Sequence, residues 1–224
     1  MDGAKKMRVV VTAGPTREHL DPVRYITNGS SGSMGCRIAR RLLLAGHTVT
    51  MVYGPGTAVP PPGAVVVRVE TAREMLAAVH KELKRADVLI MAAAVGDWRP
   101  ARRHPDKLKR KTAWSLRLVP TPDILSRCVR RKKRGQVMVG FALETDHPAE
   151  NAAKKMAVKK PDLLIANTIS FLGKEQKSGV IFLRKNGRVE RIKTATKEEV
   201  ADRLVKMLPG LVETARNKKG EGTG

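Results

Sequence analysis

At 224 residues with 42% apolar side chains, the chain is long enough for one large domain with a sizeable core, and scarce aromatics (3%) leave that core to Val, Ile, Leu, Ala and Met. A net charge of +23 points to anionic partners (nucleic acid, nucleotides or phosphorylated metabolites) without choosing among them. No apolar run reaches the roughly 18 residues of a membrane-spanning helix, Met1 to Arg8 lack the apolar stretch of a signal peptide, and Cys36 and Cys128 have no metal-ligand spacing, so a cytosolic chain with two reduced thiols on helix faces is expected.

Met7 to Ala13 reads as a buried strand, ended by Gly14-Pro15. Thr16 to Gly32 is long, polar and irregular. Ser33 to Ala45 carries Met34, Ile38, Leu42 and Ala45 on one helical face, with Gly46 as its stop. Thr48 to Tyr53 and Val65 to Val69 are strands around a Pro/Gly loop. Thr71 to Glu74 is a capping box opening a helix to about Arg85. Asp87 to Val95 is almost wholly apolar, as in a strand covered on both sides. Gly96 to Ala113 is a second polar loop, and Trp114 to Val119 alternates like a strand. Thr121-Pro122-Asp123 opens a helix with Pro122 in its first turn. A strand (Val137 to Leu143), a helix (Pro148 to Lys160) and a strand (Asp162 to Asn167) follow. Gly179 to Lys193 reads as a hairpin turning at Asn186-Gly187, Thr196 to Glu199 caps the last helix, and the tail frays from about residue 217.

Strands alternating with helices imply a Rossmann-like α/β fold: a mostly parallel sheet with helices on both faces and an antiparallel hairpin appended late. No linker divides the chain, so residues 1–224 read as one domain. The run Arg130 to Arg134 sits at a predicted helix end, where cations suit the dipole, and reads as solvated surface.

In such sheets ligands bind beyond the carboxyl ends of the strands. Gly29, Gly32 and Gly35, with serines between, lead straight into a helix whose N–H groups can hold a phosphate or carboxylate. The P-loop pattern is absent, as is a strict GxGxxG. The second strand lacks the acidic residue that would hold a nicotinamide cofactor's ribose, the next acid being Glu70. A second loop, Ala92 to Asp97, has small residues that leave room for a flat base, and Asp97 can accept from ribose hydroxyls or base amino groups. The cluster Lys107 to Lys111 is either a solvated run or a loop that neutralises developing phosphate charge. An NAD(P)-dependent oxidoreductase and a basic nucleic-acid-binding module remain as alternatives. The first lacks its ribose acid, and the second lacks interleaved stacking aromatics.

Several motifs occur in one order: Thr12 to Glu18, Asp21 to Gly35, Ala92 to Asp97, Lys107 to Arg110, Pro122 to Ile124 and Gly140 to Thr145. Together they resemble the phosphopantothenoylcysteine synthetases (phosphopantothenate–cysteine ligases), which in many bacteria form the second half of a bifunctional coenzyme A biosynthesis protein. The resemblance covers Met7 to about Leu208. It implies a homodimeric ligase, without specific nucleic acid or membrane partners, that joins 4′-phosphopantothenate to L-cysteine through an acyl-nucleotide. CTP is favoured over ATP, Mg²⁺ accompanies the triphosphate, and a separate protein performs the decarboxylation.

The resemblance also implies roles. Asn28 and Lys107 would be catalytic, Asn28 donating to the acyl carbonyl. Arg24, Asn28 and Ala93 would bind the acid substrate. Met91, Ala92, Ala93, Asp97 and Lys107 would contact the nucleotide, with Pro122, Asp123, Ile124 and Leu125 at a helix N-terminus, Phe141 packing on the nucleotide, and Lys155 and Lys159 a helical turn apart. Metal ligands on the chain itself are not specified. The chain departs from the common pattern at Gly29 (often His), Ser33 (often Lys), Arg110 (often Lys) and Thr168 (often Asp). These positions bear on nucleotide preference more than on the reaction.

Overall fold

The computed structural model describes residues 5–110, 113–168 and 177–217. Its frame is an eight-stranded sheet. The strands β1 (Arg8–Ala13), β4 (Thr48–Tyr53), β5 (Val65–Arg68), β6 (Val88–Met91), β9 (Val137–Glu144) and β10 (Leu163–Thr168) run parallel in the spatial order β5-β4-β1-β6-β9-β10. Numbered among themselves, this is the 3-2-1-4-5-6 order of a dinucleotide-binding sheet, whose direction of winding reverses between β1 and β6. The hairpin of β11 (Ser178–Arg184) and β12 (Val189–Ala195) extends the β10 edge antiparallel, so the appended hairpin is borne out as part of the main sheet. Its turn holds Gly187 at φ 83°, a backbone conformation that glycine adopts without strain.

The sheet is covered on both faces. Helices α1 (Ser33–Leu44) and α5 (Lys197–Asn217) pack on one, through Ile38, Leu42, Leu204 and Leu208 against Val9, Val11, Ile90, Val139 and Ile165. On the other, α2 (Ala72–Leu83), α3 (Ile124–Arg130) and α4 (Pro148–Lys159) cover Val10, Leu89, Met138 and Leu164. Alternate strand residues feed the two layers, which is why the central strands are apolar throughout. Gly35 lets α1 lie close on β1: a Cβ there would stand 2.4 Å from the Ala13 Cβ. Both cysteines are free and buried, Cys36 on α1 and Cys128 on α3, and burial pushes each thiol up to about 11.

Four expectations change. The polar stretch after β1 contains an antiparallel ribbon, β2 (Arg17–His19) with β3 (Tyr25–Thr27), too short and too polar to show as alternation. The apolar strand expected to reach Val95 leaves the sheet after Met91, because the Ala94 N–H donates to the Gly14 carbonyl and the Thr16 N–H to the Ala94 carbonyl. Of Trp114 to Val119 only the end pairs, as β8 (Leu118–Pro120) with β7 (Trp98–Pro100), and Trp114 stays exposed. Finally, α3 begins at Ile124 because the Asp123 carboxylate caps it, accepting from the Ser126 N–H at 3.1 Å, so Pro122 precedes the helix. Lys111 and the frayed tail fall outside the described residues.

Candidate functional site

A cleft of about 780 Å³ opens over the carboxyl edge of β6, β9 and β10, a size that suits a small-molecule ligand. The Gly/Ser loop and the start of α1 form one side, with Asn28, Ser30, Ser31, Ser33 and Met34. The N-cap Gly32 gives α1 no side-chain cap; the Ser33 N–H donates to Ser31 Oγ at 3.3 Å, and the first turn borders that side, where a helix N-terminus favours an anion. The loop after β6 supplies the floor, Ala92 to Asp97. Pro122 to Leu125, Phe141, Lys155 and Lys159 close the other side.

Twelve chain positions proposed from the sequence therefore meet in one cavity: Asn28, Met91, Ala92, Ala93, Asp97, Pro122, Asp123, Ile124, Leu125, Phe141, Lys155 and Lys159. Arg24 and Lys107 are not among its lining residues. The Arg24 guanidinium donates to the Leu108 carbonyl at 3.0 Å and lies 3.6 Å from the Asp21 carboxylate. Asp21 is fully buried and accepts from the N–H groups of Val23, Arg24 and Leu108 at 2.8, 2.7 and 3.1 Å. Burial alone would raise its carboxyl, but those three donors and the Arg24 charge hold it below the usual carboxylate range. The turn after β2 is thus a clamp on the segment that carries the exposed Lys107, and Arg24 is part of the clamp.

Asn28 bridges the two sides. Its amide nitrogen donates to the carbonyls of Ala94 and Val95 at 3.3 and 3.2 Å. A flipped amide would set oxygen against two carbonyl oxygens, so these contacts fix the orientation and leave Oδ1 for a ligand. The donor expected of this side chain is thus engaged with the chain's own backbone.

The two α4 lysines sit against carboxylates at the rim, Lys155 at 2.7 Å from Glu144 and Lys159 at 3.1 Å from Asp123. Burial would raise the Asp123 carboxyl, yet the Ser126 hydrogen bonds and the Lys159 ammonium outweigh it and lower it. It stays ionised and ties the start of α3 to the end of α4. Among the described residues no group of three or more His, Cys, Asp or Glu side chains is placed to hold a metal ion. A divalent cation held by Asp97 and a polyphosphate ligand together would match how magnesium is commonly bound.

Among the lining residues that sequence reasoning missed, two are polar and lie far along the chain. Asn167 lies at the end of β10, and Lys197 is the first residue of α5. Asn167 directly precedes Thr168, one of the departures from the family pattern, but that pattern gave it no role. Lys197 carries a faint signal, since a lysine in a first helical turn opposes the dipole.

A six-strand parallel sheet in this order, with a cleft at its carboxyl edge, defines a Rossmann-type α/β protein. The family described as "DNA/pantothenate metabolism flavoprotein C-terminal domain" matches residues 4–211, and the chain belongs to it. It is 41% identical over 170 residues to the coenzyme A biosynthesis bifunctional protein CoaBC of Escherichia coli K12, covering 74% of this chain and 42% of that protein. It is 36% identical over 210 residues to a cysteine/cysteine sulfinic acid decarboxylase of an unknown prokaryotic organism, covering 92% and 58%. The solved C-terminal domain of a CoaBC protein superposes with a TM-score of 0.82 at 36% identity, covering 96% of this chain and all of that one. The chain spans about half the length of these two relatives.

Proposed function

We propose that the chain is a phosphopantothenate–cysteine ligase of coenzyme A biosynthesis, acting in the cytoplasm, in which residues 1–224 form one domain. The observation that carries this reading is the convergence in one cleft of an uncapped helix N-terminus, an oriented asparagine, a flat small-residue floor and two α4 lysines. That set suits an anionic nucleotide bound next to an acyl group. A carboxylate is a poor electrophile until its oxygen becomes a good leaving group. In the proposed first step, a carboxylate oxygen of 4′-phosphopantothenate attacks the α-phosphorus of CTP, and the bond to pyrophosphate breaks. In the second, the cysteine nitrogen attacks the acyl carbon, the bond to CMP breaks, and the amine loses a proton.

The α1 N–H groups would face phosphate, and Phe141 would pack on the base. Asn28 Oδ1 would accept from the incoming amine and aim its lone pair at the acyl carbon. Lys107 would act from its clamped loop in nucleotide activation. Magnesium would supply charge neutralisation on the triphosphate. CTP, in place of ATP, and the homodimer rest on the resemblance of the motifs. The decarboxylase named for one relative belongs to a protein of which this chain matches only 58%.

The test is direct. The protein, incubated with phosphopantothenate, cysteine, Mg²⁺ and CTP or ATP, should release pyrophosphate and nucleoside monophosphate in step with amide formation. Lys107→Ala should stop pyrophosphate release. Absence of monophosphate with either triphosphate would sink the ligase reading.

A further inference from the structure

Thr12 to Glu18 lie outside the cleft lining, yet the floor of the cleft hangs from this segment. The Thr12 hydroxyl accepts from the Ala93 N–H at 3.1 Å, and the Gly14 carbonyl from the Ala94 N–H at 3.0 Å. Thr16 holds the next turn. Its N–H donates to the Ala94 carbonyl at 3.2 Å, and its hydroxyl accepts from the Gly96 N–H at 2.9 Å. The hydroxyl's own proton goes to the Glu18 carboxylate, which also accepts from the Ala72 N–H at the start of α2, at 2.8 Å. A hydroxyl has one proton and two lone pairs, so with Glu18 as its acceptor Oγ1 is left to face the Gly96 N–H. Thr16 is fully buried and Glu18 nearly so. Burial pushes the Glu18 carboxyl up, and the two donors with the Arg99 and His19 charges act against that rise.

A further bond of Thr16 reaches the other side of the cleft. Its carbonyl accepts from the Thr27 hydroxyl at 2.8 Å. Thr27 immediately precedes Asn28, and the Asn28 amide donates to the Ala94 and Val95 carbonyls, in the same turn that Thr16 holds. Thr16 therefore grips both partners of the Asn28 contact: the segment that carries the side chain and the turn that receives it. Small misplacements of a group beside a reacting bond slow the reaction steeply. Resting on the ligase reading above, we propose that Thr16 is a positioning residue that sets Asn28 against the cleft floor through its hydroxyl and its carbonyl.

Thr16→Val keeps the shape and removes the hydroxyl. The Gly96 amide should then exchange its hydrogen about 10-fold faster, the scale of one buried hydrogen bond. Amide formation should fall by about 10-fold to 100-fold. Monophosphate should be released in excess of amide, because a misplaced acyl-nucleotide is lost to water, which returns the acid and the monophosphate. Thr16→Ser should restore exchange and product ratio. Added to Asn28→Asp, Thr16→Val should deepen the loss by no more than about two-fold, since both act on one contact. A purely structural threonine would lower the melting temperature and total turnover with the two products still equal. The valine also leaves Glu18 one donor short, so Thr27→Val supplies an independent arm. Its side chain is exposed and the floor keeps its own bonds. Excess monophosphate is expected there too, with KM for CTP within about two-fold of wild type. Equal release of the two products in both variants overturns the assignment, and so does a fully additive loss with Asn28→Asp. If wild-type protein consumes no triphosphate, the ligase reading fails, which is a different result. Gly96 exchange in Thr16→Val still decides whether Thr16 holds the floor.

Discussion

Both ends of the sheet carry cations, and they use them differently. At the amino edge, Arg8, Lys84, Arg85, Lys133, Arg134 and Arg216 surround a hollow of about 420 Å³. Most are exposed, Lys84 ends α2 and Arg216 lies in the last turn of α5, where a helix dipole favours positive charge. Asp87 accepts from the Arg8 N–H and pairs with Arg216 at 3.2 Å. Water screens the mutual repulsion of these exposed cations. At the carboxyl edge Lys197 is buried at a helix start, and Lys155 and Lys159 lean on carboxylates around a deep cleft. A net charge counts both ends alike. Burial and helix polarity separate the solvated cations of the surface from those held at the cleft.

Breaking the carboxyl edge should have the largest effect. In Asn28→Asp the new carboxylate cannot donate to the Ala94 and Val95 carbonyls, so it loses its orientation. Steady-state amide formation should fall by roughly 100-fold, the scale of losing one positioned polar group. Monophosphate should be released in excess of amide, which assaying both products would reveal. Equal release of the two would mean that Asn28 does not hold the intermediate.

Gly35→Ala tests how closely α1 must approach the sheet. Helix propensity alone favours alanine by about 1 kcal/mol. The new Cβ, 2.4 Å from that of Ala13 and 3.0 Å from the Thr12 carbonyl, should outweigh it. We expect a net loss of about 1–3 kcal/mol by urea unfolding, with KM for the nucleotide rising as the first turn shifts.

The clamp at Asp21 should show in acid. Its folded carboxyl lies below the unfolded value, so its contribution to stability is complete above the ordinary carboxylate pKa of about 4. That contribution is lost as pH falls through the lowered folded value. Asp21→Asn should flatten that part of the urea-midpoint profile and loosen the segment bearing Lys107. A profile identical to wild type would remove Asp21 from the clamp.

The smallest effect belongs to the amino edge. Lys133→Ser with Arg134→Ser should leave turnover within about two-fold and stability within about 0.5 kcal/mol per site, as for exposed substitutions away from a site. A large loss of activity would erase the distinction between the two ends.

The alternation of apolar strands with capped helices was legible in the sequence because burial on both faces leaves long Val/Ile/Leu runs and capping leaves Thr-x-x-Glu at helix starts. The Thr196 box forms as read, its hydroxyl accepting from the Glu199 N–H while Glu199 accepts from Thr196. At Thr71 only half of it forms: Glu74 reaches the Glu70 N–H instead. Twelve site positions were also legible, through motifs that resemble a family. Three things were not. The Arg24 guanidinium turns to Leu108, the Asn28 amide nitrogen is committed to the Ala94 and Val95 carbonyls, and Lys197 joins the cleft from far beyond Thr145, where the last motif ends.

The sequence by itself therefore determined the order and type of the main elements and which loops could meet a ligand, because periodicity and caps are local. Only the tertiary structure decided where each polar group spends its hydrogen bonds and which cations are buried. Those outcomes depend on partners far away along the chain, which no local pattern records.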